Sequence, residues 1–214
     1  LEFRRVLFRS SREMGWQGPI LLLEGLFSQE DIFLASDLHC DCVVHHADQV
    51  DWLEALSEAK HGSDSHLPKI YLKMNTGMNR LGFRPIEYRE AYHRLHSCGY
   101  VISHMTHFAN ADYIDRRPSV DEQSELFHQV IEGLAGDRSL ANSAAVLWHH
   151  HMVFSDWVRP GIMLYGASPS GKYEDIQHAN LKAVMSLNSK IIGDRKSTRL
   201  NSSHSQQSRM PSSA

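Results

Sequence analysis

The stretch that decides the fold reads IYLKMNTGMNRLGFRPIEYREAYHRL and covers residues 70–95. Its first five residues form a short, mostly apolar run that ends in an Asn-Thr-Gly turn, and an amphipathic run over residues 86–95 follows. The first run has the length and composition of a buried strand, and the second has the spacing of a helix. A strand followed by a helix is the βα unit from which parallel sheets are built.

The same alternation repeats over residues 19–166, where short apolar runs end in polar or glycine residues and longer amphipathic stretches follow them. Near-continuous apolar strands that are covered by helices predict a parallel α/β sheet with polar residues at the carboxyl ends of its strands. That edge is the active-site rim of either a barrel or an open sheet. The predicted strands are residues 20–23, 42–45, 70–74, 100–106, 139–142 and 158–164, and the predicted helices include residues 47–59, 86–95 and 121–134.

Composition limits the class of protein. The chain has 214 residues, of which 42% are hydrophobic and 22% are charged, so it can bury one substantial core. Its formal charge of -3 and the absence of a basic stripe in its sequence argue against nucleic-acid binding. The three cysteines are too few for a disulfide framework, and no apolar run reaches the roughly 18 residues of a membrane span. We therefore expect a cytoplasmic protein that does not bind membranes.

Both ends of the chain depart from the βα pattern. Residues 1–12 have no place in it, and residues 196–214 are a serine-rich polar tail, so we expect a non-native leader and a non-native tail. Ordinary disordered termini are the alternative. Residues 181–192 alternate between apolar and polar positions, which predicts a strand that leads into a second, incomplete domain.

Residues 157–166, WVRPGIMLYG, have the composition of a turn that holds a ligand. Arg159 supplies a fixed charge, and the glycine lets the main chain approach a bound group, so the N–H groups of Gly161 and Ile162 can point at an anion. Ser143, beyond the preceding strand, offers a hydroxyl, and the loops after the last strands of a (β/α)8 barrel commonly hold phosphate. Taken alone, Ser143 can equally be a small packing residue and Gly161 an ordinary turn glycine.

Further basic residues lie near the predicted strand ends. Strand alternation places His104 and His107 on opposite faces, so only one of them faces the site, and a purely structural role is the alternative for it. Lys73 and Arg80 flank the Asn-Thr-Gly turn, and two buried cations there would repel each other. Either one of the two points to solvent or an anion lies between them. The consecutive histidines 149–151 are not assigned as a metal site, because neighbours on an extended chain cannot all face one ion.

Four segments follow one another in the same order as in one enzyme family: YLKMNTGMNRLGF at 71–83, THFANAD at 106–112, ANSAA at 141–145 and WVRPGIMLYG at 157–166. In these segments the chain resembles alanine racemase, and the resemblance extends from about residue 18 to residue 195. It implies an α/β fold, an incomplete (β/α)8 TIM-type barrel with about six of the eight βα units, followed by the start of a β domain. On this basis residues 13–175 form the partial barrel and residues 180–195 the first strand of the β domain.

The resemblance implies that the barrel binds pyridoxal 5'-phosphate. By matching positions, the phosphate is held by Ser143, Gly161 and Ile162. His107 stacks against the cofactor ring, and Arg159 faces the pyridine nitrogen. A guanidinium hardly exchanges protons at neutral pH, so Arg159 leaves that nitrogen unprotonated and weakens the electron sink. A less stabilised carbanion is reprotonated at the α-carbon before side reactions compete, which suits racemisation.

The resemblance also implies a reaction and a partner. The expected function is the interconversion of L-alanine and D-alanine for peptidoglycan supply, in a homodimer. Arg80 lies near the substrate carboxylate and is steadied by Lys73, a position that is often carbamylated in the family. Two family features are missing, the lysine that forms a Schiff base with the cofactor and a tyrosine of the C-terminal domain, and no lysine precedes Lys60. We therefore expect an incomplete copy that does not racemise alanine by itself.

Other functions stay open on the residues alone. A pyridoxal-phosphate homeostasis barrel would be a carrier, but residues 181–192 lead out of the barrel. A decarboxylase of the same barrel type sets a carboxylate against the pyridine nitrogen, where this chain offers Arg159. A phosphate-binding aldolase or isomerase and a nonfunctional remnant are the remaining alternatives.

Overall fold

Parallel strands alternate with helices in the computed structural model, which describes residues 9–60, 67–113 and 115–191. The strands are β1 (Leu21–Leu22), β2 (Asp41–Val44), β3 (Ile70–Lys73), β4 (Ile102–Met105) and β5 (Arg138–Ser139). The helices are α1 (Gln29–Asp37), α2 (Ala47–Ala59), α3 (Pro85–Ser97), α4 (Val120–Ile131) and α5 (Ser143–Trp148). Two 3-10 helices follow, Ile162–Tyr165 and Tyr173–Ala179, and residues 9–13 are helical as well.

The strands pair in chain order, β1-β2-β3-β4-β5, and every pair is parallel. This order distinguishes a (β/α)8 barrel from a doubly wound sheet, in which the strand order reverses at a switch point. The register is continuous, since Tyr71 of β3 is paired with Val43 on one side and with Ser103 on the other. The predicted α/β class and the incomplete (β/α)8 barrel are confirmed, with five strands in the described residues instead of six.

Alternate residues of each strand pack on opposite faces of the sheet. Val44 and Leu72 are fully buried in the large core that the sheet shares with the helices. On the other face Tyr71 and Met105 belong to a second buried cluster, which fills the inside of the partial barrel. Because side chains alternate along a strand, Lys73 lies on the same inner face as Tyr71, at the carboxyl end of β3.

Local sequence explains where the main helices begin. At α4 a capping box forms, in which Glu122 N donates to Ser119 Oγ (3.2 Å) and Ser119 N donates to Glu122 Oε2 (2.7 Å). α3 begins at Pro85. Proline lacks an N–H, and this costs nothing at the first position of a helix, where an N–H would have no partner within the helix. The predictions of α2, α3 and α4 are confirmed, whereas α5 is too short for its periodicity to show. Among the described residues, no helix has the length and apolar character that crossing a membrane requires.

The predicted sixth strand over residues 158–164 is wrong. Arg159 N donates to Ala141 O (2.9 Å), so the segment does run beside the chain that leaves β5. Pro160 has no N–H to continue a ladder, and the chain then winds into the 3-10 helix Ile162–Tyr165. The apolar run that suggested a strand therefore belongs to a turn beside the sheet.

The predicted strand over residues 181–192 is wrong for its described part. Residues 181–191 have no regular secondary structure, and the alternating Val184, Leu187 and Ile191 are exposed. A strand needs a neighbouring strand that satisfies its backbone groups, and the described part of the chain offers none here. The alternation alone is insufficient to form a strand.

The chain divides into two units, the second of which begins at Met185. The second unit is described only for residues 185–191. The predicted tail at 196–214 lies outside the described residues, as do residues 1–8 of the predicted leader. The assignment of both ends as non-native and the other domain boundaries stay predictions.

Replacement of Phe127 by alanine tests the packing of α4 on the sheet. Phe127 is 0% exposed, and phenylalanine-to-alanine changes in cores cost about 3–5 kcal/mol. We expect urea unfolding to show a loss of that size. Phe154→Ala, at a position that is 69% exposed, should change the free energy of unfolding by about 0.5 kcal/mol or less. Equal effects of the two substitutions would contradict this packing.

Candidate active site

The residues that stand out in the sequence gather at the carboxyl-end rim of the sheet. Lys73 ends β3, His107 follows the end of β4, and Ser143 begins α5 just after β5. Arg159 lies in the segment that runs beside the end of β5. Because parallel strands present their carboxyl ends at one edge, residues that are distant in sequence share one site.

Arg159 is anchored between the ends of β4 and β5. Its Nη1 donates to Ser139 Oγ (2.6 Å), and its Nη2 donates to the carbonyl oxygens of Thr106 (2.6 Å) and Leu140 (3.4 Å). Burial lowers the pKa of Arg159 to about 10, so the guanidinium still carries its charge at neutral pH. The sequence contains no signal for the part that Thr106 plays here, because the group it contributes is a main-chain carbonyl.

Ser143 and Gly161 meet at this rim. Gly161 N donates to Ser143 Oγ at 2.8 Å, and Met163 N lies 3.4 Å from the same oxygen. Ile162 begins the 3-10 helix between these two donors and makes no hydrogen bond to Ser143 among the described contacts. A Cβ at Gly161 would meet no atom within 4 Å, so the space beside the turn is open to a ligand. Met163 is a donor that sequence reasoning missed, because the 3-10 turn that aims its N–H was predicted as a strand.

The two histidines near the end of β4 face different surroundings. His104 is fully buried, and its Nδ1 lies 2.9 Å from Tyr88 Oη while its Nε2 lies 3.1 Å from Ala135 O. Tyr88 belongs to α3, so His104 faces the helical layer. His107 lies beyond the strand end, where the charge of Arg159 acts on it. Of the two, His107 is the one at the rim.

Lys73 and Arg80 differ in exposure. Lys73 is 7% exposed, whereas Arg80 is exposed in the loop that follows β3. Asn75 shapes this loop, because its Oδ1 accepts from the N–H of Gly77 (3.1 Å). Burial, then the charges of Arg80 and Arg159, lower the pKa of Lys73 to about 8. The sequence left two alternatives for this pair of cations: one of them points to solvent, or an anion lies between them. The exposed position of Arg80 corresponds to the first alternative.

Positive charge dominates the rim. Burial lowers the pKa of His107 to about 4, and the charges of Arg159, Arg80 and Lys73 act in the same direction, so the imidazole is neutral at pH 7. Within the described residues no carboxylate forms an ion pair with Lys73, Arg80 or Arg159. A cluster of cations without a counter-ion favours an anion, because a nearby negative charge stabilises each of them.

The three consecutive histidines do not converge on one point. His149 is the C-cap of α5, and its Nε2 lies 3.0 Å from Ala111 O. His150 and His151 are exposed, with ring centroids 3.7 Å apart. In the part of the chain that the structure describes, no group of three or more His, Cys, Asp or Glu side chains is placed to hold a metal ion.

The fold and the rim define a class of protein. A serine hydroxyl, main-chain N–H groups and a half-buried arginine meet at the carboxyl end of an in-order parallel βα sheet, which describes a (β/α)8-barrel protein with a positively charged rim. The family described as "Alanine racemase, N-terminal domain" matches residues 8–169. The chain belongs to the alanine racemase family.

Individual relatives agree with this assignment. The alanine racemase of Burkholderia mallei is 48% identical over 183 residues, which cover 85% of this chain and 49% of the relative. The alanine racemase structure from Acinetobacter baumannii has a TM-score of 0.70 at 37% identity and covers 82% of this chain and 48% of that one. The enzyme from Bartonella henselae, solved with covalently bound pyridoxal phosphate, shares the fold with a TM-score of 0.67 at 21% identity, over 80% of this chain and 48% of that one. This chain spans about half the length of the relatives that it matches.

The comparisons also bear on the alternative functions. Relatives that are 45% to 48% identical over most of this chain are alanine racemases. A homeostasis barrel and a decarboxylase are therefore not favoured. The alanine racemase family consists of isomerases that depend on pyridoxal phosphate, act on alanine and are typically dimeric.

The pKa of Lys73 predicts a pH-dependent stability. It is about 8 in the folded chain and 10.5 ordinarily, so between these values the unfolded chain binds more protons. Lys73 should therefore make the free energy of unfolding rise with pH from about 8 to about 10.5, as the buried charge is lost. Lys73→Met removes this contribution. We expect urea unfolding to show a difference between wild type and Lys73→Met that changes across this pH range, and a constant difference would refute the depressed pKa.

Proposed function

We propose that this chain is the cofactor-binding barrel of an alanine racemase, which interconverts L-alanine and D-alanine with pyridoxal 5'-phosphate. The observation that carries the proposal is the hydrogen bond from Gly161 N to Ser143 Oγ (2.8 Å), with the half-buried guanidinium of Arg159 two residues away in the chain. Membership of the alanine racemase family supports the reaction, and the positive rim supports a phosphate-bearing ligand.

Ser143, Gly161 and Ile162 would hold the phosphate ester. A serine hydroxyl and main-chain N–H groups are donors that suit a phosphate dianion, and they bring no competing negative charge. In the structure the Gly161 N–H donates to Ser143 Oγ (2.8 Å), so a phosphate oxygen that binds here would share or replace that acceptor. Met163 N, 3.4 Å from the Ser143 hydroxyl, would extend the same donor set.

Arg159 and His107 would form the surroundings of the cofactor ring. Arg159 keeps its charge at neutral pH and gives up no proton, so it can donate to the pyridine nitrogen without protonating it. The low pKa of His107, about 4, leaves an uncharged aromatic ring that can stack. When bound, pyridoxal phosphate supplies an electron-withdrawing ring that stabilises negative charge at the α-carbon of an amino acid.

Arg80 and Lys73 would complete the substrate side of the rim. Arg80 is exposed, and its guanidinium suits the carboxylate of alanine. With a pKa of about 8, Lys73 has a neutral fraction at physiological pH, and the neutral amine is the form that adds carbon dioxide. We include carbamylation of Lys73 in the proposal, because an anion at this position would attract Arg80 instead of repelling it.

The proposal covers the wider setting of the protein as well. The family relationship supports a homodimer, a cytoplasmic location and a role in supplying D-alanine for peptidoglycan. It also supports alanine as the substrate, without contacts to nucleic acid or membrane. The chain by itself would bind the cofactor without racemising alanine, because no lysine precedes Lys60 to hold the cofactor covalently.

Preference for the phosphorylated cofactor tests the proposal. We expect the 214-residue chain to bind pyridoxal 5'-phosphate about tenfold more tightly than pyridoxal, because hydrogen bonds to charged groups contribute about 1.5–3 kcal/mol and tenfold is about 1.4 kcal/mol. Ser143→Ala should remove most of this preference. Quenching of tryptophan fluorescence gives both dissociation constants.

Ser97→Ala is the matched control, since Ser97 is exposed at the end of α3 and far in sequence from the rim. It should leave the preference unchanged. Circular dichroism of both variants separates a loss of binding from a loss of fold. Equal affinities for pyridoxal and pyridoxal 5'-phosphate in the wild-type chain would refute the phosphate site, and a preference that survives Ser143→Ala would assign the phosphate to other residues.

A further inference from the structure

Gln123, on α4, uses every hydrogen-bonding atom of its side chain. It is 0% exposed. Its Oε1 accepts from the N–H of Ala109 (2.9 Å), and the two hydrogens of its Nε2 are shared among three carbonyl oxygens, those of Ala109 (2.9 Å), Ser119 (3.1 Å) and Pro118 (3.2 Å). A helix side chain is thereby bonded to both main-chain groups of one residue in the loop that follows β4.

The Gln123 amide has one satisfactory orientation. If its oxygen and nitrogen exchanged places, the oxygen would face three carbonyl oxygens and the nitrogen would face the N–H of Ala109. Either contact would leave buried polar groups unpaired. The amide therefore fixes the main chain at Ala109 in direction as well as in distance.

Two threonine hydroxyl groups beside Gln123 link the ends of two strands. Thr76 Oγ1 lies 3.5 Å from Gln123 Oε1 and 2.8 Å from Thr106 Oγ1. Thr106 Oγ1 donates its single hydrogen to Met74 O (3.0 Å), so it accepts the hydrogen of Thr76. Thr76 then has no hydrogen left for Gln123 Oε1, and that 3.5 Å approach is a packing contact. Both threonines are buried, and their bonds tie the end of β4 to the end of β3.

His107 lies between these two fixed points, with Thr106 before it and Ala109 two residues after it. The carbonyl oxygen of Thr106 also accepts from Arg159 Nη2 (2.6 Å). Movement of this loop would displace the imidazole and the anchor of the guanidinium together. The hydrogen bonds of Gln123 oppose that movement.

We propose that Gln123 is a positioning residue of the candidate active site, which holds the His107 ring and the carbonyl that anchors Arg159 through the loop of residues 106–110. The identity of the ligand that binds at the rim rests on the proposed function, whereas the hydrogen bonds of Gln123 do not depend on it. Methionine has a similar size and no strong hydrogen-bonding group. If Gln123 only filled space, Gln123→Met would leave His107 where it is.

The titration of His107 tests this without any cofactor. In the wild-type 214-residue chain, burial and the three cations of the rim hold the pKa of His107 at about 4. In Gln123→Met the loop loses its main-chain bonds and water reaches the imidazole, so we expect the pKa to rise above about 5, toward its ordinary value. Nuclear magnetic resonance of the ring C2 proton, assigned by its absence in His107→Asn, measures the change. Gln129→Met, the same substitution at an exposed position of α4, should have no effect.

An unchanged pKa of His107 in a folded Gln123→Met chain would overturn the proposal. Should that variant fail to fold, Gln123→Glu provides the same test, because it keeps the size and one acceptor but sets a carboxylate oxygen against carbonyl oxygens. Hydrogen exchange in the wild-type chain needs no substitution. The Ala109 N–H should be protected as strongly as the buried amides of α4, and exchange at the rate of an exposed loop would also overturn the positioning role.

Cofactor affinity distinguishes this inference from the proposed function. With pyridoxal 5'-phosphate as the probe, we expect Gln123→Met to weaken binding about tenfold and Gln129→Met to leave it unchanged. A wild-type chain that binds no pyridoxal 5'-phosphate, combined with the rise in the His107 pKa, would refute the proposed function and support the role of Gln123. Binding that is equal in the wild-type and Gln123→Met chains would refute the role of Gln123 and leave the proposed function supported.

Discussion

Parallel pairing of the strands in chain order is the constraint on which the rest of the structure depends. Each βα unit brings the chain back to the same end of the sheet, so the residues that follow each strand arrive at one rim. Lys73, His107 and Ser143 are far apart in the sequence and meet at this rim because they end or follow three neighbouring strands. The helices bury the outer face of the sheet, and Tyr71 and Met105 fill the inner face below the rim.

Charge gives the rim its chemical character. Arg159 is held by a side-chain hydroxyl and two carbonyl oxygens, and burial depresses the pKa values of Lys73 and His107 as well as its own. Burying cations together without a carboxylate among the described residues costs free energy, and a bound anion would offset that cost. Strongly perturbed pKa values at the open end of a barrel are typical of a ligand site. Stability and binding are therefore coupled through the same few side chains.

The sequence predicts much of this arrangement, because local patterns and short motifs carry it. The run over residues 70–95 contains β3 and α3 nearly as the structure has them. The prediction of a sixth strand over residues 158–164 was wrong, because the proline at position 160 ends the backbone pairing that an apolar run suggests. The alternation over residues 181–191 was misleading, because a strand depends on a partner that local sequence does not reveal. The bond between Arg159 and the Thr106 carbonyl has no sequence signal, since every residue has a carbonyl. The pattern of βα units also leaves a barrel and an open sheet equally possible until the strand order is known.

A crystal structure of this chain with pyridoxal 5'-phosphate is the most direct test of the site at the rim. We expect the phosphate within hydrogen-bond distance of Ser143 Oγ and Gly161 N, and the guanidinium of Arg159 against the pyridine nitrogen. The hydrogen bonds from Arg159 to Ser139 and Thr106 should persist in that complex. A phosphate bound away from Ser143, or an Arg159 side chain turned out to solvent, would contradict a rim built to hold this cofactor.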